Sequence, residues 1–309
     1  MSQGISTTAV TRRASVRRHW RIAEYPYIWV TPLVILLLLT YVYPAFEVIR
    51  FSFTDATLLN PTYEYTLEGY EALGRNTNLR GILSVTFVFV VASVVFQLLL
   101  GLLVALALAR GAKRNLPGVS VVRIIILASW IVPGVAAGIV WQLIFSEASY
   151  GLFNSILRDF GLRPVQWLSN PTLALWSAII ANIWRGTAFS MILLYAGILV
   201  IPQSLYEAAD VDGANSWRKF WYITLPQLRP IMLINTILIS IFTLNTFDMI
   251  LALTGGGPGR ATEVLALYAY NIVFRNFDLS NGSVIAVLLL AISVAFTFFY
   301  VRLLPKENE

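Results

Sequence analysis

The stretch E-A-A-D-V-D-G-A-N-S-W-R-K-F-W-Y-I-T-L-P, Glu207 to Pro226, is a long polar segment lodged between two apolar runs of membrane length. A polar insert in that position usually meets a partner. On its own residues it reads as two short helices separated by a glycine. Pro202 suits a first helical position, and Glu207 and Asp210 lie in the early turns, where the helix dipole favours acids. Leu205, Ala208 and Ala209 share one face, whose methyl-sized side chains let another backbone approach closely. Gly213 enters a left-handed cap at no steric cost. Asn215 or Ser216 caps a second helix, and Pro226 is expected to end it.

Outward from this segment the chain is apolar. It is 58% hydrophobic and 12% charged, against about 25% charged for an ordinary soluble domain, so it reads as an all-α polytopic membrane protein. Runs near 28–49, 82–109, 121–145, 173–200, 231–253 and 283–303 each reach the roughly 20 residues that a helix needs to cross a bilayer, which predicts six transmembrane helices. Pro32 and Pro44 interrupt the first, as membrane helices tolerate near their ends or at kinks.

Basic residues orient these spans. Arg12, Arg13, Arg17, Arg18 and Arg21 precede the first; Arg110, Lys113, Arg114 and Arg123 lie around the second-to-third connection; Arg218, Lys219 and Arg229 lie in the polar insert, and Arg302 and Lys306 at the end. The alternate connections hold seven. The positive-inside rule therefore places both termini and the insert in the cytoplasm. The organisation that follows is a basic cytoplasmic tail at 1–25, a six-span domain at 26–304 with cytoplasmic helices at 202–226, and a tail at 305–309. The formal charge of +6 is accounted for by topology and anionic membrane lipid, so no nucleic-acid partner is expected.

The insert resembles a known family. The spacing E-A-A, then Asp212-Gly213-Ala214, then Phe220, Ile223, Leu225, Pro226 and Pro230 is similar to the cytoplasmic signature of binding-protein-dependent ABC importer permeases of the carbohydrate branch. The resemblance implies a type I importer permease fold in a prokaryotic inner membrane. The first helix of the insert is then the coupling helix, seated on an ATPase through Leu205, Glu207, Ala208, Ala209, Asp212 and Gly213. It also implies a second homologous permease subunit, together with two ATPase subunits and an extracytoplasmic solute-binding protein. ATP and magnesium would sit on the ATPase partner, with no cofactor in this chain.

Among the polar residues within the spans, Arg185 is the most expensive, at roughly 2.5–3.5 kcal/mol for a central arginine without water or a partner. Structural pairing, perhaps with Asp248, contact with solute, and snorkelling to the lipid surface are the three readings. Asn182, Gly186 and Ser190 lie on one helix face at i, i+4 and i+8, which suits either ligand contact or helix packing. By resemblance to maltose-type permeases, Asn182 and Gly186 match positions lining the sugar site and Phe189 an aromatic position there. F-T-L-N-T-F, Phe242 to Phe247, matches the other wall, with Phe242, Thr243 and Asn245 as candidates. Two departures stand out. Ile239 replaces a small polar residue, and Thr243 replaces an amide.

Other chemistry is poorly supplied. The chain has no cysteine and one histidine, His19, so the common zinc and iron constellations are excluded. The T-G-G-G-P-G run at 254–259 is a turn region, and no Lys-Ser or Lys-Thr follows it as a phosphate loop requires. The connection 52–80 is expected to form a small extracytoplasmic cap. G-L-F-N-S-I-L-R-D-F-G at 151–161 reads as an interfacial helix with Leu152, Ile156, Leu157 and Phe160 toward lipid or protein. The expectation is thus a permease subunit passing a carbohydrate inward by alternating access. An sn-glycerol 3-phosphate permease is the alternative, and a membrane enzyme acting on lipid-linked sugar would need convergent carboxylates or histidines that the spans lack.

Overall fold

The computed structural model of the chain describes residues 26–60 and 62–302, so the expected tails at 1–25 and 305–309 lie outside the described residues. Among the described residues two compact units are present, divided between Glu47 and Val48. The first helical segment begins as α1 (Pro26–Leu37), widens through a π turn at Leu38–Val42, and continues as α2 (Tyr43–Phe51). Pro44 has no N–H to give the turn before it, and the wider turn, in which Tyr43 N–H bonds Leu38 O, carries the backbone past that gap. Trp29–Phe51 is long and apolar enough to cross a membrane.

The second unit contains α3 (Glu68–Arg75), α4 (Leu79–Lys113), α5 (Val119–Ile131), α6 (Gly134–Ile144), α7 (Leu152–Asp159), α8 (Pro171–Val200), α9 (Gln203–Val211), α10 (Ser216–Lys219), α11 (Leu225–Leu244), α12 (Asp248–Leu253), α13 (Leu265–Phe274) and α14 (Leu279–Arg302). Among the described residues β pairing is limited to one antiparallel bridge, Thr54 to Tyr65. At 35 residues α4 is about 52 Å long, well beyond the roughly 30 Å of hydrocarbon that a helix must cross.

The core is built on α4, α8 and α11. Parallel α4 and α8 meet through glycines: Gly186 lies against the Gln97 side chain and Gly101 against Ser190, and a Cβ at either glycine would overlap its neighbour. Small residues let membrane helices approach where lipid supplies no hydrophobic drive. Antiparallel α11 packs on α8, with Gly197 against Leu228 and Ile231 at one end and Asn182 against Thr243 further along. Near the Gly197 end, Leu102, Ala105, Leu108, Met191, Leu194 and Leu228 form a buried apolar cluster. The start of α8 is fixed by Asn170, whose side chain accepts from Thr172 N–H and Leu173 N–H, with Pro171 at the first position; such a cap contributes about 1 kcal/mol.

Five helices span by length and composition, and six if the bent pair α5–α6 counts as one. The expected straight third span, 121–145, is instead broken, with α5 and α6 meeting at 104°. Val132 is extended, as the residue before a proline tends to be, and Pro133 then starts α6. The expected fifth span, 231–253, is also corrected: the membrane-length helix is Ser216–Leu244, and it stops at Asn245. Residues 248–253 form α12, which packs on α6 through Gly138, where a Cβ would crowd Met249 O and Ala252. Pro226 does not end the second helix of the insert. It stands at a first-turn position of α11, after a π turn at Phe220–Thr224 has shifted the hydrogen bonds, so its missing N–H costs little.

The connections at the end away from α9 are tied down by hydrogen bonds. Asp55 N–H donates to Glu64 O and Thr66 N–H to Phe53 O, while Ser280 N–H reaches Ala56 O, which fixes the 52–66 segment to the start of α14. In α7 the buried residue is Asn154. Its amide donates to Val165 O and accepts from Val165 N–H and the Trp167 indole, whereas Leu152, Ile156 and Phe160 are exposed. The T-G-G-G-P-G run is a turn with Gly255, Gly256 and Gly259 at positive φ, closed by the Thr254–Thr262 hydroxyl pair at 2.7 Å.

Candidate functional site: a polar cavity between membrane helices

Where α4, α8 and α11 meet the break after α5 and the start of α12, the packing leaves a cavity of about 350 Å³. Helix periodicity puts its polar groups there. Asn182 and Gly186 are one turn apart on α8, and Ile239 and Thr243 one turn apart on α11. Of the residues expected from the sequence, Asn182, Gly186, Phe242, Thr243 and Asn245 all line this cavity. Phe189 does not line it but packs against two rings that do: its ring lies 5.0 Å from Trp130 and 5.4 Å from Phe242, and Trp130 lies 5.5 Å from Phe242.

The polar wall is arranged around Gln97, which the sequence reading passed over. Only 2% exposed, it donates through Nε2 to the Asn182 carbonyl at 3.1 Å. Gly186 is the seat of the Gln97 amide, because any side chain there would occupy the same space. Of the two readings, ligand contact and helix packing, this contact is the helix-packing one, although Gly186 also lines the cavity. Asn182 Nδ2 lies 3.5 Å from Thr243 Oγ1, at the limit of a hydrogen bond, so both groups keep bonding capacity for a ligand. Asn245, the C-cap of α11, is exposed and donates through Nδ2 to Ile241 O.

Arg185 and Asp248 also line the cavity, yet no salt bridge joins them among the described residues. The Arg185 guanidinium instead lies 5.7 Å from the Trp130 ring centroid, and its Nε has no hydrogen-bond partner. The Asp248 carboxylate packs against Gly134, where a Cβ would overlap it. A cation on an aromatic face is stabilised by about 0.5–2 kcal/mol, which places Arg185 without a carboxylate. The cavity therefore offers amides, hydroxyls, aromatic faces and one charge of each sign. Among the described residues no group of histidine, cysteine or acidic side chains could hold a metal ion.

The polar insert has a geometry of its own. α9 ends in a motif in which Ala214 N–H bonds Ala209 O and Gly213 N–H bonds Asp210 O, with Gly213 at φ +70°. That pattern is the Schellman cap and requires the left-handed residue that glycine supplies. Asn215 caps α10 by accepting from Arg218 N–H. Leu205, Glu207, Ala208 and Asp212 are exposed, while Ala209 is half-buried against its own chain, so the expected Leu205–Ala208–Ala209 face is only partly free. Tyr206 anchors α9 to the π turn through Thr224 Oγ1 at 2.9 Å, and Lys219 pairs with Asp210. Beneath, toward α4, a cavity of about 530 Å³ carries Arg110, Lys113 and Lys219.

A helical membrane unit with a broken span, a polar cavity between its helices and a glycine-capped helix pair at one end is the architecture of a transport component. The chain belongs to the family described as "Binding-protein-dependent transport system inner membrane component", whose profile it matches over residues 97–308. It is 37% identical to a trehalose/maltose transport system permease protein of Thermococcus litoralis, over 92% of this chain and 94% of that one. It is 34% identical to an sn-glycerol-3-phosphate transport system permease protein of Brucella abortus, over 91% of this chain and 95% of that one. Its fold is shared with a chain of a bacterial ABC transporter importing the acidic polysaccharide alginate, with a TM-score of 0.79 and 21% identity, over 94% of this chain and 97% of the other.

Proposed function

We propose that this chain is the pathway-forming subunit of an ATP-driven importer that passes a carbohydrate, of di- or oligosaccharide size, into the cytoplasm. The observation that carries the reading is the cavity wall: Gln97, Asn182, Thr243 and Asn245 supply amide and hydroxyl groups beside the Trp130 and Phe242 rings. Sugars present alternating hydroxyls and apolar C–H faces, and a site that binds them pairs hydrogen-bonding groups with aromatic surfaces. The trehalose/maltose permease of Thermococcus supports the same solute class, whereas the sn-glycerol-3-phosphate permease of Brucella supports the second reading given below.

In this reading α9 is the surface that receives the ATPase, through Leu205, Glu207, Ala208 and the Gly213 cap. ATP and magnesium act on that partner. A second homologous permease completes the pathway, and the solute-binding protein delivers from the side opposite α9. Both termini lie in the cytoplasm, on the side carrying Arg110, Lys113, Arg218 and Lys219. A phosphate-bearing solute is the second reading, and it draws on the Arg185 guanidinium, which lies over Trp130 and joins no salt bridge among the described residues.

The test is uptake into proteoliposomes holding the full importer, with its solute-binding protein screened against disaccharides and glycerol phosphate. Wild-type importer accumulates a neutral sugar with ATP. Asn182→Ala and Asn245→Ala lower that uptake about tenfold, the equivalent of one buried hydrogen bond, while the complex assembles and the binding protein keeps its affinity. Exclusive uptake of glycerol phosphate, abolished by Arg185→Ala, would replace the first reading with the second.

A further inference from the structure

One helical turn from the cavity, on the side of α9, two polar side chains have no assigned task. Asn235 is wholly buried, and neither its amide nitrogen nor its amide oxygen has a hydrogen-bond partner; Ser190 is equally buried with its hydroxyl unpartnered. An amide left unpaired at both ends in a packed interior is destabilising, and a leucine of similar size would not carry that penalty. Something other than the packing of this state accounts for an asparagine there.

Helix register brings the two together. Asn182 meets Thr243 and Gly197 meets Leu228 and Ile231, so the antiparallel pair α8/α11 sets Ser190 opposite Asn235. Gly101 meets Ser190 as Gly186 meets Gln97 in the parallel pair α4/α8. Gly101, Ser190 and Asn235 therefore form one level, directly beyond the level of Gln97, Gly186 and Ile239 that lines the cavity. One turn further Ala105 and Leu194, and two turns further Leu228, close the way with apolar side chains.

We propose that Asn235 and Ser190 form a second solute subsite, closed in this structure, which takes over the hydroxyls of a carbohydrate as it leaves the first cavity and α8 and α11 part toward the cytoplasm. The polar pair is unsatisfied only while the level is shut. When the helices separate, water and solute hydroxyls satisfy it, so its burial penalty falls on the closed state and favours opening. The inference rests on the inward-transport reading, and it extends the polar wall from Asn182 and Thr243 by one step along the same two helices.

The chain has no cysteine of its own, which makes accessibility measurable. Ser190→Cys and Asn235→Cys, each in the full importer in inside-out vesicles, are exposed to a charged methanethiosulfonate with and without ATP. Both thiols are modified from the cytoplasmic side in at least one nucleotide condition. Separately, Asn235→Leu assembles at the wild-type level with an unchanged or higher melting midpoint, yet its uptake of the best-transported sugar of the panel falls about tenfold. If that variant fails to assemble, Ser190→Ala takes its place, with the same fall in uptake expected. Absence of labelling in every condition overturns the subsite, as does wild-type uptake by an assembled Asn235→Leu, which would make the pair a packing feature only. Labelling does not depend on which solute is carried, so a failed sugar panel refutes the carbohydrate reading without deciding the subsite.

Discussion

Gly186→Ala is the substitution whose outcome the geometry constrains most tightly. A Cβ at that position would overlap the Cδ, Oε1 and Nε2 atoms of Gln97, which is only 2% exposed and donates to the Asn182 carbonyl. Gln97 must leave its seat, so over-packing of about 1–3 kcal/mol combines with about 1–3 kcal/mol for the amide stripped of its partner. The two share one displacement and do not add fully, so the net loss is about 2–4 kcal/mol, or roughly 5–10 °C in melting midpoint for a unit of this size. The sign is itself diagnostic, since alanine otherwise beats glycine in a helix interior by about 1 kcal/mol. Gln97→Ala alone should cost about 1–3 kcal/mol. In the double variant the new methyl occupies space that the amide vacated, so it should be more stable than the sum of the singles by at least about 1 kcal/mol. The assay is the thermal aggregation midpoint of the assembled importer in nanodiscs for all four proteins. A Gly186→Ala importer that melts with wild type, or strict additivity, would refute the close approach of α4 and α8.

Gly213→Val forces a β-branched residue to φ +70°, at a cost of about 1–2 kcal/mol, and Ala208→Trp overfills the exposed side of α9; both should lose transport and solute-stimulated ATP hydrolysis at normal membrane levels, read by immunoblot and phosphate release. Arg185→Ala should lower the melting midpoint by the equivalent of only about 0.5–2 kcal/mol, the cation–π contact with Trp130, and Asp248→Asn should not rescue it; a loss of 3–5 kcal/mol restored by Asp248→Asn would instead reveal a buried ion pair. At Glu147, burial would raise the carboxyl, but hydrogen bonds from the Ser169 hydroxyl and from the N–H groups of Ser169 and Leu168 outweigh it and hold the group below its ordinary value. A lowered folded value stabilises above the ordinary carboxylate range and is lost as pH falls through the lowered value. Wild type should therefore lose more thermal stability on acidification than Glu147→Gln, compared by melts from pH 7 to pH 3.

The membrane architecture was legible because apolar runs of the right length have few alternatives, and the Gly213 cap because one residue type fits its backbone. The breaks were less so. Pro133-Gly134 punctuates the third run, but composition alone does not say whether a proline there kinks a span or turns it through 104°. The polar trio Asn245-Thr246 and Asp248 marks where α11 stops, yet it sits between apolar residues that a hydropathy window joins. In the site, Asn182, Thr243 and Phe242 were reached through resemblance to a family. Gln97 had a signal of its own, a lone amide in S-V-V-F-Q-L-L-L-G, although nothing local shows that it rests on Gly186, 89 residues away. Trp130 carries no local sign of a place in the site, because its partners Phe189 and Phe242 come from other helices. Pairing of Arg185 with Asp248 was inferred from opposite charge alone, whereas the packing gives each a different neighbour.

The account's central claim is that solute crosses this chain through the cavity between α4, α8 and α11. Its most direct test is the structure of the assembled importer trapped with its transported sugar. The account predicts sugar density within hydrogen-bond distance of Asn182 and Thr243 and against the Trp130 or Phe242 ring. Density seated wholly on the second permease subunit, with this cavity still holding Gln97 and Gly186 in contact and no sugar beside them, would contradict it.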